Sequence, residues 1–203
     1  MISIPASGTP VGILLAAGRG MRFDPSGRRN KLQQACGAGT VVTESARKLL
    51  AVLDDVVAAV RADDPDTAAS LRTAGCRVVL VDAAEQGMSV SLRAALSIAP
   101  QASGWIIALG DMPFVQPGTI QALRDALVDG AGIAAPSYMG RRGNPVAFSR
   151  VHLPALLQLR GDQGARSLLA AHDIAMIPVE DPGILQDIDT TADLGTLSNQ
   201  MQT

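Results

Sequence analysis

Unbroken apolar runs alternate along this chain with segments of helical period. Val11–Ala17 (VGILLAA) contains no polar side chain and ends at Gly18. Such a run suits a strand buried on both faces, as in a parallel sheet. Similar runs recur at 55–61 (DVVAAVR), 76–82 (CRVVLVD) and 104–111 (GWIIALGD). Helical spacing fills the gaps between them. Thr40 is placed to cap a helix through VVTESARKLLAVL to about Leu53. DDPDTAASLRTAG fits a short helix stopped by Gly75. After Gly87, the residues Met88, Leu92, Ala95, Leu96 and Ala99 line one helical face. Pro117 and Gly118 open TIQALRDALVDG. AGIAAPSY and NPVAFS read as strands, GARSLLAAHD as a helix and IAMIPVE as a strand. TTADLGTLSN reads as a last helix, with Thr190 and Asp193 at capping-box spacing.

Alternating strands and helices predict an α/β protein of three layers: a mostly parallel sheet with helices on both faces. No internal repeat or Gly/Ser/Pro-rich linker divides the 203 residues, which suit one domain (1–203, core about 11–197) with loose ends.

Composition narrows the function classes. The chain is 47% hydrophobic and 18% charged, which argues for a globular protein. A net charge of −2 leaves no global basic field for nucleic acid. Trp105, Tyr138 and three Phe are too few for a base-stacking platform. Cys36 and Cys76 have no metal spacing and fit a reducing compartment without disulfides. His152 and His172 are too far apart in sequence to suggest a zinc site. No apolar stretch approaches a membrane span, and the N-terminal segment lacks the charged start of a signal peptide. A cytoplasmic protein without a membrane role is expected.

Against that background one segment stands out. Arg19, Arg22, Arg28, Arg29 and Lys31 place 5 of the 17 basic residues within 13 positions, directly after the first strand. In open α/β sheets ligands bind beyond the carboxyl ends of strands, so an anion is expected there. Two common phosphate loops do not fit. No G-x-x-x-x-G-K-S/T string occurs, and Phe23 stands where the dinucleotide fingerprint needs its third glycine. The physical logic remains. Gly18 and Gly20 let backbone N–H groups approach phosphates, Arg22 offers a planar fork, and Lys31 supplies a mobile charge. A solvated basic loop is the other reading, and Arg28 and Arg29 are assigned to it. Asp111, directly after the strand GWIIAL, lies at the same edge. A triphosphate travels with Mg²⁺, which takes one or two protein carboxylates. At the helix start Gly87, Met88, Ser89, small residues would let a flat base lie against backbone, although an ordinary helix start explains the string nearly as well.

The string LLAAGRGMRF…NKL, with GDMPF and LQDIDTTADL later, resembles nucleotidyltransferases that activate sugar phosphates, isoprenoid precursors and molybdopterin. The resemblance runs from about Val11 to Leu197 and implies a Rossmann-like nucleotidyltransferase fold. It implies that Leu15, Ala16, Ala17, Gly18 and Gly20 wrap a nucleoside triphosphate, and that Arg22 and Lys31 carry catalysis. It also implies that Asp111 and Asp189 hold Mg²⁺, with Asp187 a weaker candidate, and that Gly87, Met88 and Ser89 lie near the base. Thr191 and Ala192 replace the usual Pro-Glu of the late segment. Within the molybdopterin branch L-A-A-G accompanies CTP and L-A-G-G accompanies GTP, so Ala17 points to CTP. GRRGNPVAFS and GDQGARSLL resemble the molybdenum cofactor cytidylyltransferases, implying acceptor contacts from Asn144, Asp162 and Arg166. Arg141 and Arg142 fit either an acceptor phosphate or a solvated surface. Asn144 stands where that branch has histidine. The implied reaction joins CTP and molybdopterin, with a molybdenum hydroxylase receiving the product. Two alternatives stay open: another phosphorylated acceptor, such as a sugar or isoprenoid phosphate, and a non-catalytic molybdopterin chaperone.

Overall fold

The structure is a computed structural model and describes residues 8–193 except 21, 27, 83, 85–86, 162–165 and 191. Its centre is β1 (Val11–Ala16), with β4 (Val56–Arg61) on one side and β6 (Gly104–Leu109) on the other, both parallel to it. β5 (Arg77–Val81) extends the parallel set beyond β4. Beyond β6 come β9 (Val146–Ser149), antiparallel, then β7 (Ile133–Tyr138), then β10 (Ala175–Pro178) parallel to β7 at the edge. The short β8 (Arg141–Arg142) pairs with the end of β7, giving eight strands among the described residues. A separate hairpin joins β2 (Ala35–Cys36) and β3 (Gly39–Thr40).

Neighbouring residues of β1 feed opposite faces, as strand periodicity requires. Leu14 joins the core under α1 (Val41–Leu50), α2 (Pro65–Ala74) and α4 (Pro117–Val128). Ile13 joins the core under α3 (Met88–Ile98), α5 (Leu153–Leu157) and α6 (Arg166–Ala171). Both are fully buried, so truncating either to alanine would cost about 2–5 kcal/mol. Trp105 is also fully buried and donates its indole N–H to the carbonyl of Ala99 at 3.2 Å. The expected three layers and mostly parallel sheet are therefore present.

Local chemistry sets the helix ends. Thr40 and Thr43 form a reciprocal capping box at α1. Asp64 caps α2 and Pro65 occupies its first turn; Gly75, at φ +108°, ends it. α1 stops at Leu50 because the chain turns to send Leu53 into the core. The β2–β3 hairpin, β8 and α5 have too few residues to show a period. Of the expected last helix, the Thr190–Asp193 capping contacts are present, and residues 194–203 lie outside the described residues. No helix among the described residues is long and apolar enough to cross a membrane. The parallel set β1, β4, β5 and β6 delivers its carboxyl ends, Ala16, Arg61, Val81 and Leu109, to one edge.

Candidate active site

Past Ala16 the chain leaves the sheet. Gly18 is exposed, and a Cβ built there would meet no protein atom within 4 Å. Gly20 adopts φ +62° and lies on the Lys31 stem, with its hypothetical Cβ 3.2 Å from Lys31 Cγ. The loop back to Lys31 is closed by its own polar groups. Phe23 and Asp24 donate backbone N–H groups to Gly20 O at 2.9 and 3.2 Å. The Asp24 carboxylate accepts from Ser26 N, Ser26 Oγ and Arg29 N at 2.9, 2.6 and 2.8 Å. These hydrogen bonds, the Ser26 hydroxyl first, hold its carboxyl below the usual range. Phe23 is buried, and the Arg29 guanidinium sits 5.2 Å from the centre of its ring. Asn30 caps the 3-10 turn at Lys31–Gln33 and donates to Asp64 at 2.7 Å, tying the loop to the start of α2.

The acids come from two other places. Asp111 follows β6 through Gly110, whose N–H donates to Leu15 O at 2.9 Å and whose carbonyl lies 3.0 Å from the buried Ser45 hydroxyl. Asp189 follows the buried Ile188, whose N–H donates to Asp111 O at 2.9 Å. Lys31 Nζ joins the two carboxylates, 2.6 Å from Asp111 and 3.3 Å from Asp189. Arg22 reaches Asp189 from the solvent side at 2.5 Å. The Lys31 side chain is 10% exposed and that of Arg22 81%, so Lys31 is the buried, doubly paired charge and not the mobile one expected, and Arg22 is the solvent-exposed one. Asp187, on the rim, has its carboxyl raised by burial and then by the negative charges of Asp189 and Asp111.

These groups border a cleft of about 600 Å³. Leu15 to Gly18 line it, together with Leu109, Met88 and Ser91. Beside the glycine loop its cations and carboxylates meet directly, Lys31 on Asp111 and Asp189 and Arg22 on Asp189. A polyanion that brings its own divalent cation matches both signs at once.

The MobA-like NTP transferase domain matches residues 12–175. The chain belongs to that family. It has the Rossmann-like nucleotidyltransferase fold, a mostly parallel sheet with helices on both faces. It is similar to Rv0371c from Mycobacterium tuberculosis H37Rv, at 28% identity and a TM-score of 0.82, over 94% of this chain and 98% of that one. A structure of Rv0371c in complex with manganese superposes with a TM-score of 0.77 at 27% identity, over 94% and 98% of the two chains. It is also 33% identical over 108 residues to the purine catabolism protein PucB of Bacillus subtilis (strain 168). That alignment takes in 52% of each chain, so this chain spans about half the length of that curated relative.

The expected residues fall into four groups. Leu15, Ala16, Ala17, Gly18, Gly20, Arg22, Lys31, Met88, Asp111 and Asp189 all border the cleft. Gly87 and Ser89 are buried and do not line it, and the Ser89 hydroxyl has no hydrogen-bond partner among the described residues. Asn144 starts the segment into β9 and donates its backbone N–H to Ile184 O at 3.0 Å, away from the cleft lining. Asp162 and the side chain of Arg166 lie outside the described residues. Ser91 and Leu109 border the cleft without having been singled out, as does Arg19, which was named only as a member of the basic run. Ser91 had a readable signal: it lies three residues past Met88, hence on the same helical face, whereas Ser89 turns inward.

Proposed function

We propose that this nucleotidyltransferase transfers a cytidylyl group from CTP to molybdopterin, with Mg²⁺, releasing pyrophosphate. The observation that carries the reading is the meeting of Lys31 with Asp111 and Asp189 at the mouth of the glycine loop. The two carboxylates are hard oxygen donors already bridged by an ammonium, a donor set that fits a cation of the Mg²⁺ class. Among the described residues no group of three or more His, Cys, Asp or Glu is arranged as a metal cage. Two carboxylates suit an ion that takes its other ligands from water and phosphate. The manganese complex of Rv0371c supports a divalent ion.

In the proposed reaction an oxygen of the acceptor phosphate attacks the α-phosphorus of CTP. A new P–O bond forms as the bond to the β-phosphate oxygen breaks, and pyrophosphate leaves with the electron pair. No enzyme group is covalently modified. Asp111 and Asp189 would hold the Mg²⁺, which when bound would neutralise charge on the triphosphate. Backbone N–H groups around Gly18 and Gly20 hold phosphate oxygens, and Lys31 and Arg22 balance charge as it moves onto the leaving group. Met88, with Ser91 beside it, meets the base. Asn144, Asp162 and Arg166 belong to the acceptor side, with the exposed Arg141 and Arg142 nearby in sequence. A molybdenum hydroxylase is the expected recipient of the product.

Ala17 in the L-A-A-G string supports CTP, and GDQGARSLL supports molybdopterin. Asn144 in place of histidine favours a second reading, transfer to another phosphorylated acceptor. Pyrophosphate release with each of the four nucleoside triphosphates, against molybdopterin and against sugar and isoprenoid phosphates, separates the two. Turnover with CTP and molybdopterin alone is expected. Preference for another triphosphate or acceptor overturns the specific assignment, and tight molybdopterin binding without turnover overturns the reaction. Asp111→Asn is expected to lower activity and flatten its metal dependence together; an unaltered metal titration removes Asp111 from the metal site.

A further inference from the structure

Asp181 is a carboxylate that the reaction does not touch, yet it is 2% exposed. A buried carboxylate is costly unless its oxygens are fully hydrogen-bonded. Here they are. One oxygen accepts from Gln116 N at 2.8 Å and from the Thr119 hydroxyl at 2.6 Å, and the other accepts from Gly183 N at 2.9 Å. Gln116 and Thr119 form the first turn of α4, whose N-cap residue makes no capping bond with its own side chain. Asp181 therefore caps α4 from 65 residues away and places negative charge at its positive end.

The two segments clipped together here are the ones that end in the proposed metal ligands. Asp111 leads through Phe114 into Gln116, and Asp181 leads through Gly183 and Ile188 into Asp189. They touch at three levels. At one end stands the Asp181 carboxylate. In the middle Gly183 lies so close to Phe114 that an added Cβ would fall 2.3 Å from the Phe114 carbonyl oxygen. At the other end Ile188 N–H donates to Asp111 O. Between 181 and 189 the second segment has a short 3-10 turn at Pro182–Leu185, where Ile184 O also accepts the backbone N–H of Asn144 at 3.0 Å.

We infer that Asp181 is a positioning residue that sets the spacing of Asp111 and Asp189 by latching their two segments together. The inference rests on the reading of those two aspartates as the divalent-cation ligands. Partners that orient ligands from behind typically change metal affinity by 10–100-fold when removed. Asp181→Ala is therefore expected to weaken Mn²⁺ binding by about that factor. Asp181→Asn keeps the shape but turns an NH₂ toward N–H or O–H donors, and is expected to fall between. Thr119→Val removes one donor and is expected to give the smallest loss.

The test is a Mn²⁺ titration of the whole chain, with free ion measured by electron paramagnetic resonance, and with folding checked by thermal melting. Leu96→Val, in the core on the far face of the sheet, controls for lost stability alone and should bind Mn²⁺ as the parent does. Should Asp181→Ala not fold, Asp181→Asn and Thr119→Val decide. Unaltered Mn²⁺ affinity in the folded Asp181 and Thr119 variants, beside a clear loss in Asp111→Asn, overturns the latch and leaves the ligand assignment standing. Unaltered affinity in Asp111→Asn overturns the ligand assignment itself. An equal loss in Leu96→Val reduces Asp181 to ordinary stability.

Discussion

Replacing Lys31 with methionine removes one charge while keeping the stem that packs on Gly20. In the parent, the ammonium offsets two carboxylates whose side chains are 21% and 23% exposed. Fully exposed pairs contribute about 0–1 kcal/mol, and breaking a fully buried pair costs about 3–5 kcal/mol. The intermediate burial places Lys31→Met at about 2–3 kcal/mol, part of it repulsion between the stranded aspartates. For a chain of this size about 2–4 °C is lost per kcal/mol, so the melting temperature without metal should fall by roughly 4–12 °C. Divalent metal should then raise the melting temperature more in the variant than in the parent, because an ion can take the vacated place between the carboxylates. Turnover should fall by roughly 10²–10³, the effect of losing one charge-stabilising donor, and metal should not restore it. Differential scanning calorimetry with and without Mg²⁺, paired with pyrophosphate release, measures both. An unchanged metal-free melting temperature would refute the claim that Lys31 holds the site together. Full recovery of turnover by metal would refute its role on the phosphates. The double variant with Asp111→Asn should be less destabilised than the two singles added together, since both remove the same contact.

The loop glycines, the cysteines and one histidine provide further tests. Gly20→Ala forces a Cβ into φ +62° and against Lys31, and should destabilise by about 1–2 kcal/mol in denaturant titrations. Gly18→Ala meets no protein atom, so it should leave stability unchanged while raising KM for the triphosphate; an unaltered KM would mean that no phosphate passes there. Burial pushes the Cys76 thiol up to about 11 and also raises Cys36, so native protein at pH 8 should resist iodoacetamide until denaturant is added; rapid native labelling would contradict the packing. His152, whose ring centre lies 4.9 Å from that of His172, has its pKa lowered from 6.5 by burial and then by that neighbour. The unfolded chain then binds the proton more readily, so stability should be full above about pH 6.5 and decline as pH falls below it. His152→Asn should flatten that slope, and a parent curve that is flat from pH 5 to 7 would contradict it.

Much of this architecture can be read in one dimension. Val11–Ala16, Val56–Arg61 and Gly104–Leu109 are apolar on both faces, and only a strand covered by helices on each side can bury them. Thr40, Asp64 and Gly75 mark helix ends through bonds to their own near neighbours. The glycine loop and Asp111 sit immediately after such strands, and parallel pairing sends those ends to one edge. Ser91 was missed, although the period that placed Met88 on the cleft places Ser91 there as well. The β2–β3 hairpin and β8 left no trace in the pattern, because two-residue strands are defined by their partner and not by their own side chains.

Other features belong to the folded chain alone. Local sequence places Lys31 after a basic loop, but its contacts with Asp111 and Asp189, 80 and 158 residues further on, exist only once the sheet has closed. Asp181 reads as an ordinary surface acid until Gln116 and Thr119 surround it. Short-range hydrogen bonding and side-chain period act over a few residues, so the amino-acid order by itself determines the elements and their buried faces. Electrostatic contacts and burial depend on distance in space, so which charge meets which is decided by the tertiary structure.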